Sequence, residues 1–197
     1  MSEFFLELFS EEIPANLQNK ARSDLQLIFE DFFSNQKICK EKKCQVFSTP
    51  NRLIVYNKEI NKEILQDSAE IRGPNTKAPE EALQGFLKSN QIDKKKIYEK
   101  KTEKGVFYFY KRPKKIIKTE DILNEQLPIV LTKLKWLKSM KWGNYSLYWG
   151  RPLKSILALF NGKTLKFNFY HLISSNTTFI DKDFEEKTKS FKNFKSY

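Results

Sequence analysis

The sequence has little histidine, cysteine or glycine, on which many metal sites and phosphate-binding loops depend. Its 197 residues include one histidine, two cysteines and six glycines. The glycines are scattered and match neither G-x-G-x-x-G nor G-x-x-x-x-G-K-[ST], so no phosphate-binding loop of those types is encoded. The single histidine, His171, has no acidic residues clustered near it in sequence, which gives hydrolase and metal centres little support. We therefore predict no catalytic residue and no metal site in this chain.

Cysteine usage and hydropathy exclude further classes. Cys39 and Cys44 are separated by four residues and, with one distant histidine, do not complete a four-ligand zinc site. Both are interpreted as thiols in a reducing setting. No apolar run approaches the roughly 20 residues that span a bilayer, and the acidic first residues lack the basic flank of a signal peptide. These absences predict a cytoplasmic protein with no membrane partner.

Positive charge dominates the chain but is unevenly distributed. The net charge is +12. Residues 1–85 contain 11 Lys/Arg and 14 Asp/Glu, whereas residues 86–197 contain 25 Lys/Arg and 10 Asp/Glu. A run of lysines is usually a solvated surface. A net charge of −3 in the first part and +15 in the second is harder to explain in that way. It favours an acidic partner, with nucleic acid as the first candidate.

Hydrophobic periodicity predicts an α+β fold in which antiparallel β-hairpins pack with about three helices. Helices are predicted near residues 14–33, 80–89 and 119–138. Pro128 is expected to kink or split the third helix. Gly85 lies inside the second helix, where close packing against a neighbour would explain it.

Strand signals and composition complete the predicted organisation. A strand is predicted at residues 4–9, and hairpins are predicted at 42–57, 96–112 and 153–170. The last hairpin turns at Asn161-Gly162, a preferred two-residue turn. We expect an α+β segment at 1–90 and a basic α+β segment at 91–180. The Lys-rich residues 181–197, expected to be helical or disordered, would form a tail or start the next element.

Two aromatic stretches have more than one interpretation. Residues 107–110 (FYFY) place rings on both faces of a hairpin, so one face must pack while the other stacks bases or stays exposed. Residues 135–160, which we call the tryptophan junction, hold all three tryptophans of the chain, with four cations between the rings. A packed junction with a solvated basic rim is the commoner explanation. Cations beside flat rings also stack on bases and hold phosphates.

Five short motifs follow one another along the chain. They are LELFSEEIPA at 6–15, TPNRL at 49–53, a Gly-Pro pair followed by APEEALQGF at 73–86, KSMKWG and WGRPL within 138–153, and SNTT at 175–178. Together they resemble the beta subunit of the bacterial glycyl-tRNA synthetase that is built from two alpha and two beta chains. The chain is shorter than such a subunit, so the resemblance implies its N-terminal portion.

The resemblance implies a non-catalytic subunit of a ligase. The site that forms glycyl-adenylate from ATP (with Mg) would lie on the alpha subunit, so this chain is expected to bind no cofactor. Expected partners are the alpha subunit, a second beta subunit in an α2β2 tetramer, and tRNA(Gly). As tRNA contacts we single out five residues: Arg52, Lys138, Lys141, Trp142 and Arg151.

Two alternatives stay open at this point. The segment would instead serve as an assembly scaffold that docks the alpha subunit, or the rest of the beta subunit, without direct tRNA contact. Without the resemblance, the basic and aromatic hairpins alone suggest a stand-alone RNA-binding domain.

Overall fold

The computed structural model describes residues 2–39, 44–66, 68–180 and 187–197. The chain forms two compact units, one comprising Met1–Ile64 with Ile117–Tyr197 and the other Leu65–Ile116. These boundaries differ from the predicted segments 1–90, 91–180 and 181–197, because the chain leaves the first unit, builds the second and then returns. None of the helices among the described residues is long and apolar enough to cross a membrane.

The described elements support the predicted α+β class. The α-helices are α1 (Ala15–Asn35), α2 (Glu80–Asn90) and α3 (Thr119–Thr132). The strands are β1 (Ser2–Ser10), β2 (Gln45–Thr49), β3 (Arg52–Ile60), β4 (Glu63–Gln66), β5 (Ala69–Asn75), β6 (Ile97–Thr102), β7 (Gly105–Arg112), β8 (Lys115–Lys118), β9 (Met140–Lys141), β10 (Tyr148–Trp149), β11 (Leu153–Phe160), β12 (Lys163–Thr164), β13 (Asn168–Phe169), β14 (Leu172–Ile173), β15 (Thr177–Phe179) and β16 (Thr188–Ser190).

Strand β1 lies at the centre of the first unit. It pairs antiparallel with β3 on one side and with β11 on the other, and the sheet that the described residues form has the order β12-β11-β1-β3-β2. Successive side chains of a strand point to opposite faces. Phe4, Leu6 and Leu8 therefore join the larger core cluster, whereas Phe5 belongs to a cluster on the other face.

Helices α1 and α3 supply a large part of the same cluster. The apolar stripe of α1 is buried as its helical spacing predicts, and it consists of Leu17, Ala21, Leu25, Phe29, Phe32 and Phe33. The third helix contains Pro128 without splitting, but it ends at Thr132 and not at 138. The predicted helix beyond Thr132 is wrong. Leu134 and Trp136 leave the helical stripe and pack against the larger core cluster, while Leu137 is exposed.

The opposite face of the sheet is covered by the last described residues. Phe191 is buried against Phe5, and Phe194 and Tyr197 contact the same ring edge to face. This segment contains β16, which pairs with β15, and a short 3-10 helix at Phe194–Ser196. The described part of 181–197 is therefore strand and 3-10 helix; residues 181–186 lie outside the described residues, as do 42 and 43 of the predicted hairpin at 42–57.

The hairpin predicted at 153–170 is correct at its turn and wrong in its return strand. Asn161 and Gly162 both have positive φ, 52° and 74°, as the turn requires. The return strand β12 ends at Thr164. The Leu165 N–H still donates to the Ala158 carbonyl of β11 at 2.9 Å, but the groups after it find other partners. The Leu165 carbonyl and the Phe167 N–H both hydrogen-bond the Ser174 hydroxyl, at 2.7 and 2.8 Å.

The second unit is an antiparallel sheet with α2. Its strands have the order β5-β7-β6, and the hairpin between β6 and β7 turns between Thr102 and Gly105, as predicted. A Cβ added at Gly85 would meet no atom within 4 Å, so the expectation of close packing there is wrong. In this unit Gly73 is the more crowded glycine, because the Phe86 ring lies 3.0 Å from where its Cβ would be. Strands β4 and β8 pair with each other, and the unit boundaries fall within them.

Candidate nucleic-acid interface

Two of the three tryptophans anchor the junction in the core of the first unit. Trp149 is 2% exposed and contacts Trp136 and Phe169 edge to face, with ring centroids 5.4 and 5.9 Å apart. Gly150 lies under the Trp136 ring, and a Cβ at Gly150 would come within 2.4 Å of a ring carbon. The interpretation as a packed junction is therefore correct for this inner layer.

The outer layer of the junction is exposed. Strands β9 and β10 form a short ribbon in which Lys141 lies directly opposite Tyr148, so both side chains point to the same side. Tyr148 is 64% exposed. A cavity of about 280 Å³ beside the ribbon brings Lys135, Ser139, Tyr148 and Tyr170 together over Trp136 and Trp149. Cations and flat rings therefore share one accessible surface.

A second pair of rings extends this arrangement. Tyr145 and His171 are both exposed and stack with centroids 3.6 Å apart and an interplanar angle of 8°. Tyr170, next to His171, has a positive φ of 54°. That backbone conformation is uncommon for a bulky residue and is held by its surroundings. We call the exposed Lys135, Lys138, Lys141, Tyr145, Tyr148, Tyr170 and His171 the junction surface.

Three of the five residues singled out from the sequence lie in this region. Lys138 and Lys141 are exposed, and Trp142 is half-buried. The Trp142 Nε1 donates a hydrogen bond to the Trp149 carbonyl at 3.4 Å, so this ring is attached to the inner layer while part of it stays accessible. Trp142 thus has one structural contact and keeps an open edge.

Arg151 has different neighbours from the two lysines. It lines a depression with Glu11, Glu12 and Pro14 at the start of α1. Two carboxylates beside a guanidinium compensate its charge and weaken its attraction for phosphate. The geometry therefore favours Arg151 less than Lys138 and Lys141 as a phosphate contact.

Arg52 is used inside the protein. Its guanidinium pairs with Glu7, which is 0% exposed, while the Arg52 side chain is 17% exposed. It also donates to the Thr178 hydroxyl at 3.2 Å and to the Phe179 carbonyl, and it lies 4.6 Å from the centroid of the Phe9 ring. These contacts use three of the five N–H donors of the guanidinium, and the Glu7 carboxylate compensates its charge, which makes Arg52 a weaker candidate for a phosphate contact.

Glu7 is the other half of this buried pair. The Glu7 Oε1 also accepts a hydrogen bond from the Tyr197 hydroxyl at 2.9 Å, whereas Oε2 has no hydrogen-bond partner among the described residues. Burial and the neighbouring Glu7 carboxylate raise the pKa of Tyr197 above its ordinary value. Tyr197 therefore stays protonated and able to donate.

Four of the five sequence motifs meet around the end of β1. The Arg52 guanidinium, from the motif at 49–53, joins Glu7 of the motif at 6–15 to Thr178 of the motif at 175–178. Backbone N–H groups at residues 10–13 donate to carbonyls of the second and fourth motifs, and these acceptors are Pro50, Asn51 and Pro152. These motif residues therefore have structural roles in the first unit before any ligand is considered.

Sequence reasoning missed the tyrosines of the junction surface. Tyr145 and Tyr148 lie between the second and third tryptophans, and Tyr170 directly follows β13. The N-Y-S-L-Y spacing was a usable signal, because Leu147 between the two exposed tyrosines is buried. Tyr170 and His171 join them only through tertiary structure.

Nearly the whole chain matches one known family. A family model described as the glycyl-tRNA synthetase beta subunit matches residues 4–197. Similar curated proteins include glycine–tRNA ligase beta subunits from Rickettsia bellii, 38% identical, and from Rickettsia akari and Rickettsia prowazekii, each 36% identical. Each match covers 197 residues and 100% of this chain, but only 29–30% of the relative. The chain thus spans about a third of the length of these relatives.

Proposed function

The chain belongs to the glycyl-tRNA synthetase beta subunit family, and from this membership we propose that it supports tRNA(Gly) binding in a cytoplasmic glycine–tRNA ligase. It does so without catalysing the reaction itself. The alpha subunit, in an α2β2 assembly, uses ATP to form glycyl-adenylate and transfers glycine to the tRNA. The observation that carries the proposal is the junction surface, where exposed lysines alternate with exposed rings.

The chemistry of this surface suits RNA. Lys135, Lys138 and Lys141 supply ammonium groups for the phosphate backbone, and each phosphate contact releases counterions. Tyr145 and Tyr148 offer flat faces for unpaired bases, and such stacking tolerates any base. Trp142 adds a ring edge that is held by its hydrogen bond to the Trp149 carbonyl.

Filter binding of the full 197-residue chain to tRNA(Gly) over a series of KCl concentrations tests the proposal. The double variant Lys138→Gln/Lys141→Gln is expected to weaken binding and to reduce the slope of log K against log salt by about 1–2. The double variant Lys20→Gln/Arg22→Gln on α1 removes the same charge and serves as the matched control. Binding without salt dependence, or equal loss in both double variants, would contradict the proposal.

The scaffold alternative has an observation of its own. Leu137 and Met140 are exposed apolar side chains next to Lys138 and Lys141 in sequence, and Ile173 is 72% exposed. Exposed apolar groups of this kind also occur where another protein docks. Capture of the alpha subunit by the chain without tRNA, lost in Leu137→Ser/Ile173→Ser but retained in Lys138→Gln/Lys141→Gln, would favour the scaffold.

The non-catalytic part of the proposal has a direct test. Exchange of labelled pyrophosphate into ATP in the presence of glycine measures adenylate formation. The chain alone is expected to give no exchange, and addition of an alpha subunit is expected to restore it. Exchange by the chain alone would refute the division of labour.

A further inference from the structure

The second unit has a sheet face that its own helix leaves uncovered. Arg72, Phe109 and Tyr98 lie directly opposite one another on β5, β7 and β6, and Lys100 lies opposite Phe107 in the next row. Residues paired in this way point to the same face. Gly73 follows Arg72 and therefore points the other way, and there its Cβ position meets Phe86 of α2. Helix α2 thus packs on the opposite face.

This face consists of rings overlaid by cations, and Phe109 at its centre is only 7% exposed beneath them. We call Arg72, Tyr98, Lys100, Phe107, Phe109 and Lys111 the ring-and-cation face. The Arg72 guanidinium carbon lies 3.6 Å from the centroid of the Phe107 ring, and the Lys100 Nζ lies 5.3 Å from that of Phe109. Tyr98 is 40% exposed and is stacked on Phe109 at 6.2 Å with an interplanar angle of 27°.

The charge around this face favours an anionic ligand. Residues 65–116 contain 13 Lys/Arg and 7 Asp/Glu, a net charge of +6. Three lysines form the 3-10 helix Lys94–Lys96 that leads into β6, and Lys101 and Lys104 flank the hairpin turn. Cations placed along strands whose rings face outward match the groove and platform of a single-strand binding site.

One carboxylate occupies the place that a phosphate would take. Glu70 accepts hydrogen bonds from Lys100 Nζ at 2.6 Å and from the Tyr98 hydroxyl. The hydrogen bonds from Lys100 and Tyr98 lower the pKa of Glu70, so this group stays ionised at neutral pH. An arriving phosphate would replace it as the partner of Lys100.

We propose that the ring-and-cation face binds unpaired RNA nucleotides, with bases stacking on Tyr98 and on the outer side of the Arg72 guanidinium, and with phosphates held by Lys100 and Lys111. The proposal extends the proposed function, on which its choice of RNA rests, to residues outside the junction surface. A guanidinium held flat on a ring is a stacking plane that bases use in RNA recognition. No sequence-specific readout is required, since every base has a flat face.

Fluorescence anisotropy of the full chain with a fluorescein-labelled 12-nucleotide oligo(U), and with a 12-base-pair RNA duplex, tests the proposal. The single strand is expected to bind more tightly than the duplex. Tyr98→Leu and Arg72→Gln are each expected to lower oligo(U) affinity about tenfold, whereas Lys88→Gln on α2, with the same charge loss as Arg72→Gln, is expected to change it less than twofold. Equal binding of single strand and duplex, or no loss in Tyr98→Leu, would overturn the proposal.

Removal of the competing carboxylate gives a test in the opposite direction. Glu70→Gln is expected to raise oligo(U) affinity about threefold because Lys100 loses its internal partner, while Glu81→Gln on α2 makes the same charge change away from this face. An equal gain in oligo(U) affinity in both variants would mean that net charge alone causes the change, and it would overturn the role of Glu70.

Crosslinking separates this proposal from the proposed function. After ultraviolet irradiation of a complex with tRNA(Gly) containing 4-thiouridine, trypsin releases residues 97–100 and 105–111 from the ring-and-cation face and residues 142–154 from the junction. Crosslinks in the first two peptides support the face as an RNA site. Crosslinks confined to 142–154 overturn it and leave the proposed function standing, whereas the absence of any tRNA binding removes the proposed function as well.

Discussion

Replacement of Arg52 by methionine is expected to destabilise the first unit strongly. The Glu7 carboxylate would then be buried with the Tyr197 hydroxyl as its remaining hydrogen-bond partner among the described residues. Removal of one member of a buried ion pair costs about 3–5 kcal/mol, because the other charge stays desolvated and uncompensated. In a chain of this length, each kcal/mol lowers the melting temperature by about 2–4 °C. Arg52→Met should therefore lower it by roughly 6–20 °C.

Urea unfolding followed by tryptophan fluorescence measures this loss where it occurs. All three tryptophans lie in the first unit, so the signal reports that unit alone. The double variant Glu7→Leu/Arg52→Met replaces both charges and is expected to recover most of the loss, since apolar groups of similar size often substitute for a buried pair. Lys20→Met breaks an exposed pair with Asp24 and should cost less than about 1 kcal/mol.

The same variants test the tRNA role that the sequence suggested for Arg52. If Arg52→Met unfolds no more easily than Lys20→Met and binds tRNA(Gly) less tightly, the reasoning from burial is wrong and Arg52 is a ligand contact. If the double variant is as unstable as the single variant, the loss arises from the packing of Arg52 against Phe9 and not from the unpaired carboxylate.

Four further predictions concern individual residues. Gly150→Ala should destabilise the first unit by roughly 1–3 kcal/mol in the same urea assay, because its Cβ would overlap the Trp136 ring; Gly85→Ala, with open space around it, should be stabilising by about 1 kcal/mol in a circular-dichroism melt. Burial raises the pKa of the Cys44 thiol to about 12, so mass spectrometry should find Cys44 unalkylated by iodoacetamide at pH 8 until urea is added. The pKa of Glu70 is lowered from its ordinary value of 4.5, so its stabilising contribution is complete above that value and is lost as the pH falls through the lower folded value. Melts of Glu70→Gln should accordingly lose less stability on acidification than melts of the unmodified chain.

The local sequence pattern predicted an element correctly wherever that segment determines its own conformation. The stripe from Leu17 to Phe32 predicted α1 because it repeats at helical spacing, and Asn161-Gly162 predicted its turn because few other pairs adopt positive φ readily. The end of α3 could not be read in this way. It depends on Trp136, whose partner Trp149 lies thirteen residues further along the chain.

The site shows the same division. Lys138 and Lys141 are exposed, as the alternation of cations and rings in one short stretch indicates, and their contact with tRNA stays a prediction. Arg52 looked equally available in sequence, but its partner Glu7 is 45 residues away and is fully buried. No periodicity in either strand indicates that two opposite charges will meet under the aromatic residues of 187–197.

The two partner strands of β1 become available at different times while the chain is being synthesised. One partner strand, β3, lies about 50 residues after β1 in the sequence. The other, β11, lies about 150 residues after β1, and the whole second unit is synthesised in between. At about 5–20 residues per second, roughly 7–30 s pass before both edges of β1 are paired. During that interval the nascent chain presents an open, phenylalanine-rich strand edge to other chains, and chaperone contact at the ribosome would matter most for this strand.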